Sequence, residues 1–326
     1  MTCDRRQFLK IGATAIAVNS GAPIARAQTY PTRTVKFIVP FGPASAADIT
    51  ARLFADRLSK RWGKPVVIEN RPGGDGLIGI GAFVSANDDH TLLFSPVGAF
   101  AVHPYGQEKL PYNAERDLVP IASVTAIVLV IAVSESLKAG SLAEVVAIAR
   151  AQPGELNAAA GNGLTDFLLF GFLKNAGLQM AKVPYRDISQ APNDLAEGRI
   201  HVLMTSLANV QPQMQTGWVK VIAVTSRARA PSVPEVPTVI EAGYAALAMD
   251  GLVGLFGPRR ISSDLRERIA SDFQAIAAAD SLITTRLGAT GQVVDVRGPA
   301  EFAAGVEKQR AKLAAIAKIL GITPAQ

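Results

Sequence analysis

Cysteine is all but missing from this sequence. Cys3 is the only one in 326 residues, which rules out an internal disulfide and any cysteine-based metal site. Histidine is nearly as scarce, with His90, His103 and His201 alone. His90 follows Asp88-Asp89 in what reads as a surface turn, His103 precedes a proline and His201 opens a strand. None reads as lying near a carboxylate at ligand spacing, so each is expected to be structural or solvated. The Gly-x-Ser-x-Gly elbow, the phosphate-loop lysine motif and the zinc-type His/Glu pattern are also missing. The glycines of Arg71-Pro72-Gly73-Gly74-Asp75-Gly76 follow a strand but lack the Lys-Ser/Thr ending of a phosphate cradle, so they read as a turn. The expectation is a protein with no catalytic residue, no metal and no cofactor. No apolar run reaches the ~20 residues that a bilayer span needs, so the mature protein is expected to be soluble. No Lys/Arg block marks a nucleic-acid partner.

The N-terminus carries a strong local signal. Asp4-Arg5-Arg6-Gln7-Phe8-Leu9-Lys10 precedes a short apolar stretch, Ile11 to Val18, and then Ala25-Arg26-Ala27. A positive segment, a short apolar segment and a small-x-small cleavage site make a signal peptide over residues 1–27. The paired arginines resemble a twin-arginine address, but Asp4 stands where that motif usually has Ser or Thr, so the general export route stays open. Cleavage after Ala27 removes Arg5, Arg6, Lys10 and Arg26 with Asp4, and Cys3 with them. The formal charge falls from +6 to +3.

In the remainder, strand-like and helix-like runs alternate, the pattern of a largely parallel sheet flanked by helices. Val35 to Pro40 is a buried-strand run. Ser45-Ala46-Ala47-Asp48 reads as a capping box, with Ser45 accepting the third amide and Asp48 returning the bond. Ile49, Leu53, Leu58 and Trp62 give the following helix an apolar face. Pro65 to Glu69, Leu92 to Ser95 and Ile121 to Val133 continue the sheet. A second block follows: a capping box at Ser141-Leu142-Ala143-Glu144, a helix with Leu142, Val145, Val146 and Ala149 inward, and a strand at Leu156 to Ala160. Next come a helix from about Thr165 to Ala176 closed by Gly177, a strand at Met180 to Pro184, a helix near Gln190 to Glu197, and strands at His201 to Thr205 and Val219 to Val224. Pro231, Pro234 and Pro237 mark a connector. A strand at Met249 to Pro258 and helices at Asp264 to Ala278 and Pro299 to Leu320 end the chain. No internal repeat is evident. This organisation predicts a discontinuous first lobe (28–126 and 249–326) and a second lobe (127–248), joined by two crossing strands with a cleft between them. Ligands of open α/β sheets bind at the carboxyl ends of strands.

Two strand-to-helix loops, Pro40 to Asp48 and Gly161 to Thr165, end in helix starts, whose unpaired amides hold anions without any arginine. From the residues alone these loops serve equally well as ordinary turns. At this point a resemblance enters. Tyr30-Pro31-Thr32-Arg33, Ile38-Val39-Pro40-Phe41, Ala51-Arg52, Pro65 to Gly74, Leu110-Pro111-Tyr112, Val183-Pro184-Tyr185-Arg186, Ala223-Val224-Thr225 and Val236 to Gly243 together resemble the Bug-type, tripartite tricarboxylate transporter substrate-binding proteins. These segments run in family order over essentially the whole mature chain.

The resemblance implies a type II periplasmic-binding-protein (Venus-flytrap) fold of two α/β lobes. It implies capture of a small organic carboxylate in the periplasm by a monomer, for a membrane permease of the tripartite tricarboxylate type. Carried onto this sequence, the ligand-binding positions are Pro43, Ala44, Ser45 and Ala46, then Gly161, Asn162 and Thr165, with Ser95 and Ser206 as further cleft candidates. Ala44 and Ser45 replace glycines of the family's first loop. The Gly161-Asn162-Gly163-Leu164-Thr165 and Pro184-Tyr185-Arg186-Asp187 loops also depart from the family pattern. Ser206 stands where many members have Asp, which disfavours an amino-acid-like ligand and favours a plain or aromatic carboxylate. Two other functions stay open: docking of the loaded protein on a periplasmic sensor domain, and hydrolysis of a periplasmic ester or amide.

Overall fold

The computed structural model describes residues 30–107, 109–161, 163–185 and 188–324. The leader and Asn162 lie outside these residues. The first stretch runs β1 (Val35–Val39), α1 (Ala46–Trp62), β2 (Val66–Asn70), α2 (Leu77–Ala86), β3 (Thr91–Pro96), three short helices α3 (Val97–Ala101), α4 (His103–Gly106) and α5 (Ala114–Asp117), and β4 (Val119–Ile127). The middle runs β5 (Leu129–Ser134), α6 (Leu142–Ala151), β6 (Asn157–Ala160), α7 (Leu164–Asn175), β7 (Ala181–Lys182), α8 (Ala191–Ala196), β8 (Val202–Ser206), α9 (Leu207–Gln215) and β9 (Val219–Val224). The chain ends with β10 (Gly251–Gly257), α10 (Ser263–Ala279), α11 (Ser281–Ala289), β11 (Gln292–Arg297) and α12 (Pro299–Leu320).

These strands form two sheets, ordered β11-β4-β10-β3-β1-β2 and β7-β6-β8-β5-β9. The same plan occurs twice. In each sheet three parallel strands (β2-β1-β3, β7-β6-β8) meet one strand that runs antiparallel to both its neighbours, β10 in the first and β5 in the second. The duplication is one of topology and leaves no repeat in the residues. The apolar run Ile121 to Val133, read as one passage, is two strands in different sheets, parted by the single residue Val128.

Alternation along the strands decides which face each core receives. Val35, Phe37 and Val39 point to a core completed by Phe54 of α1 and Phe273 of α10, whose rings stack 4.9 Å apart. Ile38 points the other way. The buried stripe of α1 is Ala47, Ala51, Phe54 and Leu58, with Ile49, Leu53 and Trp62 only partly covered at its margin. On α6 the inward residues are Leu142, Val145, Val146 and Ala149, as the spacing predicts. Both capping boxes form with one shift from expectation. Ser45 and Ser141 accept the third amide at 3.3 Å, but the returning carboxylates of Asp48 and Glu144 take the amides of Ala44 and Gly140, one residue before the cap.

Several elements had no counterpart in the sequence reading. Helix α2 (LIGIGAFVSA) is apolar nearly all round, so it offers no polar face to reveal its period. Helix α9 contains Pro212, and β11 is an edge strand of mixed polarity. His90 was expected in a surface turn, yet it is 5% exposed. Its Nε2 receives the Thr32 amide at 3.1 Å, and its Nδ1 lies 2.6 Å from Asp89 Oδ1. Asp88, Asp89 and His90 offer ligand atoms within 4.8 Å of one another, which corrects the expectation that no histidine neighbours a carboxylate at such spacing. Both His90 nitrogens are already engaged within the protein.

One apolar core is continuous between the two sheets. It joins Ile38, Leu93 and Phe256 of the larger sheet to Ile131 and Met204 of the smaller, with Leu168, Leu169 and Leu173 of α7 and Leu313 and Ile316 of α12. Near its N-terminus α12 places the Phe302 ring over Gly254. Near its C-terminus it lies on α7, where Gly171 faces Ile316 and Lys174 Nζ donates to Leu320 O at 2.8 Å. A Cβ at residue 171 would overlap Ile316 Cγ2. Gly171→Ala is therefore expected to destabilise the protein by about 1–3 kcal/mol, the usual cost of overpacking. Chemical denaturation should show this loss, and Ile316→Ala added to it should cost less than the two changes summed. Strict additivity would rule out the α7–α12 contact as the cause.

Candidate functional site

The loop after β1 is held by a buried carboxylate. Asp48 is 2% exposed and accepts from the Ala44 amide (2.9 Å), Arg52 Nε (2.9 Å) and Asn70 Nδ2 (2.8 Å). Asn70 Nδ2 also donates to Phe41 O at 3.0 Å, and Arg52 Nη2 donates to Asn70 Oδ1 at 2.9 Å. Burial opposes ionisation of Asp48, but the bonds from Arg52, Asn70 and Ala44 outweigh it and hold the carboxyl below its ordinary range. This network ties the loop, the helix it opens and the end of β2 into one rigid corner. Ala44 sits at φ 64°, the left-handed region where the family's glycine would be at ease.

Helix α7 opens on the other lobe. Gly163 is its N-cap at φ 63°, Thr165 Oγ1 donates to Gly161 O at 2.8 Å, and the Gly161 amide donates to Met204 O at 3.0 Å. The first-turn amides of α7 have no acceptor within the helix.

Between these corners lies a cleft with about 590 Å³ of empty space, part of it open to solvent. The larger sheet's side contributes Phe41, Asp75, Pro96, Gly98 and Ala99. The crossings contribute Ile127, Leu129, Gly251 and Leu252, and α7 contributes Leu164 and Thr165. All but two of these side chains are apolar or glycine. The walls touch at the mouth of α7: a Cβ on Gly98 would lie 3.0 Å from Leu164, and one on Gly163 would lie 2.8 Å from Asp75 Oδ2.

The sequence-derived site residues distribute unevenly around this cleft. Thr165 lines it directly. Ser206 is the cross-strand partner of Leu129, and its hydroxyl caps no amide of α9. Pro43 and Ala44 are exposed, and Ser45 and Ala46 are half-buried at the start of α1, two to five residues beyond the lining Phe41. The amides of Ala44, Ser45 and Gly161 are taken by Asp48, Gly42 O and Met204 O. The amides of Ala46 and Ala47 are left as donors on that loop. Ser95 is fully buried and donates to Pro96 O at 3.0 Å, so its hydroxyl faces inward to the chain.

The sequence reading missed Asp75. It lies in the turn dismissed as a weak phosphate cradle, at φ 55° between Gly74 and Gly76, which also have positive φ. His103 Nε2 holds its carbonyl oxygen at 3.2 Å, and His103 Nδ1 accepts from Tyr112 Oη at 2.5 Å. Burial lowers the His103 pKa, so the neutral ring bridges Tyr112 and the turn. The Asp75 carboxylate has no hydrogen-bond or ion-pair partner among the described residues, and burial pushes its pKa up to about 6.

Comparison with known proteins places this geometry in context. A family model described as the tripartite tricarboxylate transporter family receptor matches residues 50–291. Protein BugT of Bordetella pertussis (strain Tohama I) is 33% identical over 260 residues, covering 78% of this chain and 79% of the relative. Among solved structures, R. palustris Rpa4515 with adipate is 27% identical with a TM-score of 0.78, covering 90% of this chain and 99% of the other. MatC from Rhodopseudomonas palustris with bound malate is 26% identical with a TM-score of 0.74, covering 88% and 99%. The two-lobed periplasmic-binding-protein architecture is thus common to all three folds.

Two substitutions separate the two carboxylates. Asp48→Ala removes the shared acceptor of Asn70, the half-exposed Arg52 and the Ala44 amide, so an unfolding free energy lower by about 1–3 kcal/mol is expected at neutral pH. Because the folded-state pKa of Asp48 is depressed, that contribution is present above its unfolded value and fades as pH falls. Asp75 has the opposite sign. Its folded value of about 6 exceeds the unfolded 3.8, so the ionised group costs stability, by up to about 3 kcal/mol above pH 6. Asp75→Asn, which tolerates positive φ, should melt higher than the parent at pH 7.5 and match it near pH 4. Coincident melts at pH 7.5 would contradict this.

Proposed function

The chain belongs to the tripartite tricarboxylate transporter receptor family, and from that premise we propose that it captures a small organic carboxylate in the periplasm and presents it to a membrane permease of the tripartite tricarboxylate type. One observation carries the reading: a single mostly apolar cleft is walled by both sheets and by both crossings, with an open helix start on its far side. Such a site binds an anion by backbone dipoles and its carbon skeleton by apolar contact. The adipate and malate bound by the two structural neighbours are carboxylates of that kind.

On this reading the donors are the amides of Ala46 and Ala47 at α1 and of the first turn of α7, with Ser45, Thr165 and Ser206 supplying hydroxyls nearby. Pro43 and Ala44 shape the first loop, Gly161 ties the second to the end of β8, Ser95 braces the end of β3, and Asn162, outside the described residues, is a further proposed ligand position. The lobes, 28–126 with 249–326 and 127–248, close on the ligand because only the closed form lets it touch both sides at once. A ligand shifts that equilibrium only by its differential affinity for the two forms. Among the described residues no helix is long and apolar enough to cross a membrane. The protein works as an exported monomer after removal of residues 1–27.

Native mass spectrometry of protein isolated from the periplasm without refolding should retain a small acidic solute. Small-angle scattering should then show a smaller radius with each carboxylate that binds. An unchanged radius for every bound ligand would reject hinge closure, and a failure of all anionic solutes to bind would reject carboxylate capture.

A further inference from the structure

Among the described residues the cleft is lined by one ionisable side chain, Asp75, and none of them pairs with it. Asp75 stands on the larger sheet's side, directly across from the N-cap of α7, with Oδ2 2.8 Å from where a Gly163 side chain would begin. The surrounding walls are Phe41, Pro96, Ala99 and Leu164, none of which can donate to it from a side chain. The other polar liner, Thr165, spends its hydroxyl on Gly161 O. Two features fix Asp75 in this place. Its left-handed backbone lies between positive-φ glycines, and the Tyr112–His103 pair anchors its carbonyl from behind. A carboxylate with raised pKa, in a strained conformation and without a partner among the described residues, is costly to keep, and a ligand's donor can supply that partner.

Building on the carboxylate-capture reading, we propose that Asp75 is the specificity-determining residue of the cleft. It selects carboxylates that carry an N–H or O–H donor at their far end over plain dicarboxylates, whose second charge would face it. This reverses the expectation drawn from Ser206, because the carboxylate missing from that strand end is supplied from the opposite lobe. A hydroxyl and an ammonium share the required chemistry, and the ammonium adds charge neutralisation in a cleft of low dielectric.

The test uses chains of equal length that differ only at one end: succinate, 4-hydroxybutyrate and 4-aminobutyrate, and the six-carbon set adipate, 6-hydroxyhexanoate and 6-aminohexanoate. Affinities are measured by calorimetry for the parent, Asp75→Asn and Asp75→Gly, both of which suit the positive φ. In the parent the donor-bearing acid should bind at least tenfold tighter than the diacid of its series. In both variants the diacid should gain and the donor-bearing acid should lose, closing or inverting that gap. A loss confined to the amino acids identifies a cationic ligand, and a loss shared by the hydroxy acids identifies a neutral donor. Either supports the proposal. An unchanged order in all three proteins overturns it, as does an equal gain for every acid, which would make Asp75 a non-selective repulsive charge. If no acid binds any of the three proteins, the carboxylate reading itself fails and this proposal with it.

Discussion

The geometry of the cleft depends on one residue of slack. Val128 alone separates β4 in the larger sheet from β5 in the smaller, and both of its backbone groups are spoken for. Its amide donates to Gly291 O at 2.9 Å, beside β11, and its carbonyl accepts from Leu207 N at 2.8 Å, at the start of α9. A connection this short cannot let the sheets drift apart, but two strands ending on either side of it can pivot. The second crossing is closed in a similar way, where Met249 N–H donates to Thr225 O and Thr225 Oγ1 donates to Met249 O. Ile127, Leu129, Gly251 and Leu252 flank these crossings and floor the cleft. Under the proposed hinge closure, the same backbone would serve as the pivot and as the floor of the cleft.

That arrangement explains what could be read from the residues and what could not. Buried strands and capped helices announce themselves locally: Val35 to Val39, the inward face of α6 and the extent of α12 follow from periodicity and turn chemistry. The split of Ile121 to Val133 does not, because both halves are equally apolar and only pairing partners distinguish them. Helix α2 was hidden for a related reason, since a segment apolar on its exposed side as well as its buried one shows no amphipathic contrast. His90 was misplaced because its partners, Thr32 and the ring of Tyr30, lie nearly sixty residues away. For the site, the resemblance carried the two loops but not their internal commitments. Asp48 consumes the Ala44 amide, and no spacing rule predicts that a capping carboxylate reaches one residue beyond its cap. Asp75 was passed over because its signal, one acid among glycines, is what an ordinary turn looks like.

The two aspartates show how similar side chains are given opposite work. Asp48, in the first turn of α1, and Asp75, in the turn after β2, both follow parallel strands of one sheet. Around Asp48 the chain supplies a guanidinium, an amide side chain and a backbone N–H, so the charge is held inside the fold and stiffens the loop. Around Asp75 it supplies apolar walls, so the charge stays unsatisfied and faces the cavity. Stability favours the first arrangement and resists the second. A binding site can use the second, because an interaction left unmade in the free protein is available to a ligand.

The continuous core and α12 constrain how such a ligand could enter. Lobes that met only at their crossings would open by simple rotation, exposing little but the cleft. Here α12 rests on the larger sheet through Phe302 and Val306 and on α7 through Leu313 and Ile316, so it belongs mechanically to both. Rotation that parts Asp75 from Gly163 must slide α7 along α12 or carry α12 with it. The two contacts are equally close: a Cβ on Gly171 would overlap Ile316 Cγ2, and one on Gly254 would overlap Phe302 Cζ. Packed helices shift past one another in small steps and keep their apolar faces covered. Under the proposed hinge closure, an opening of that kind would expose chiefly the cleft lining, the surface a bound solute would cover again.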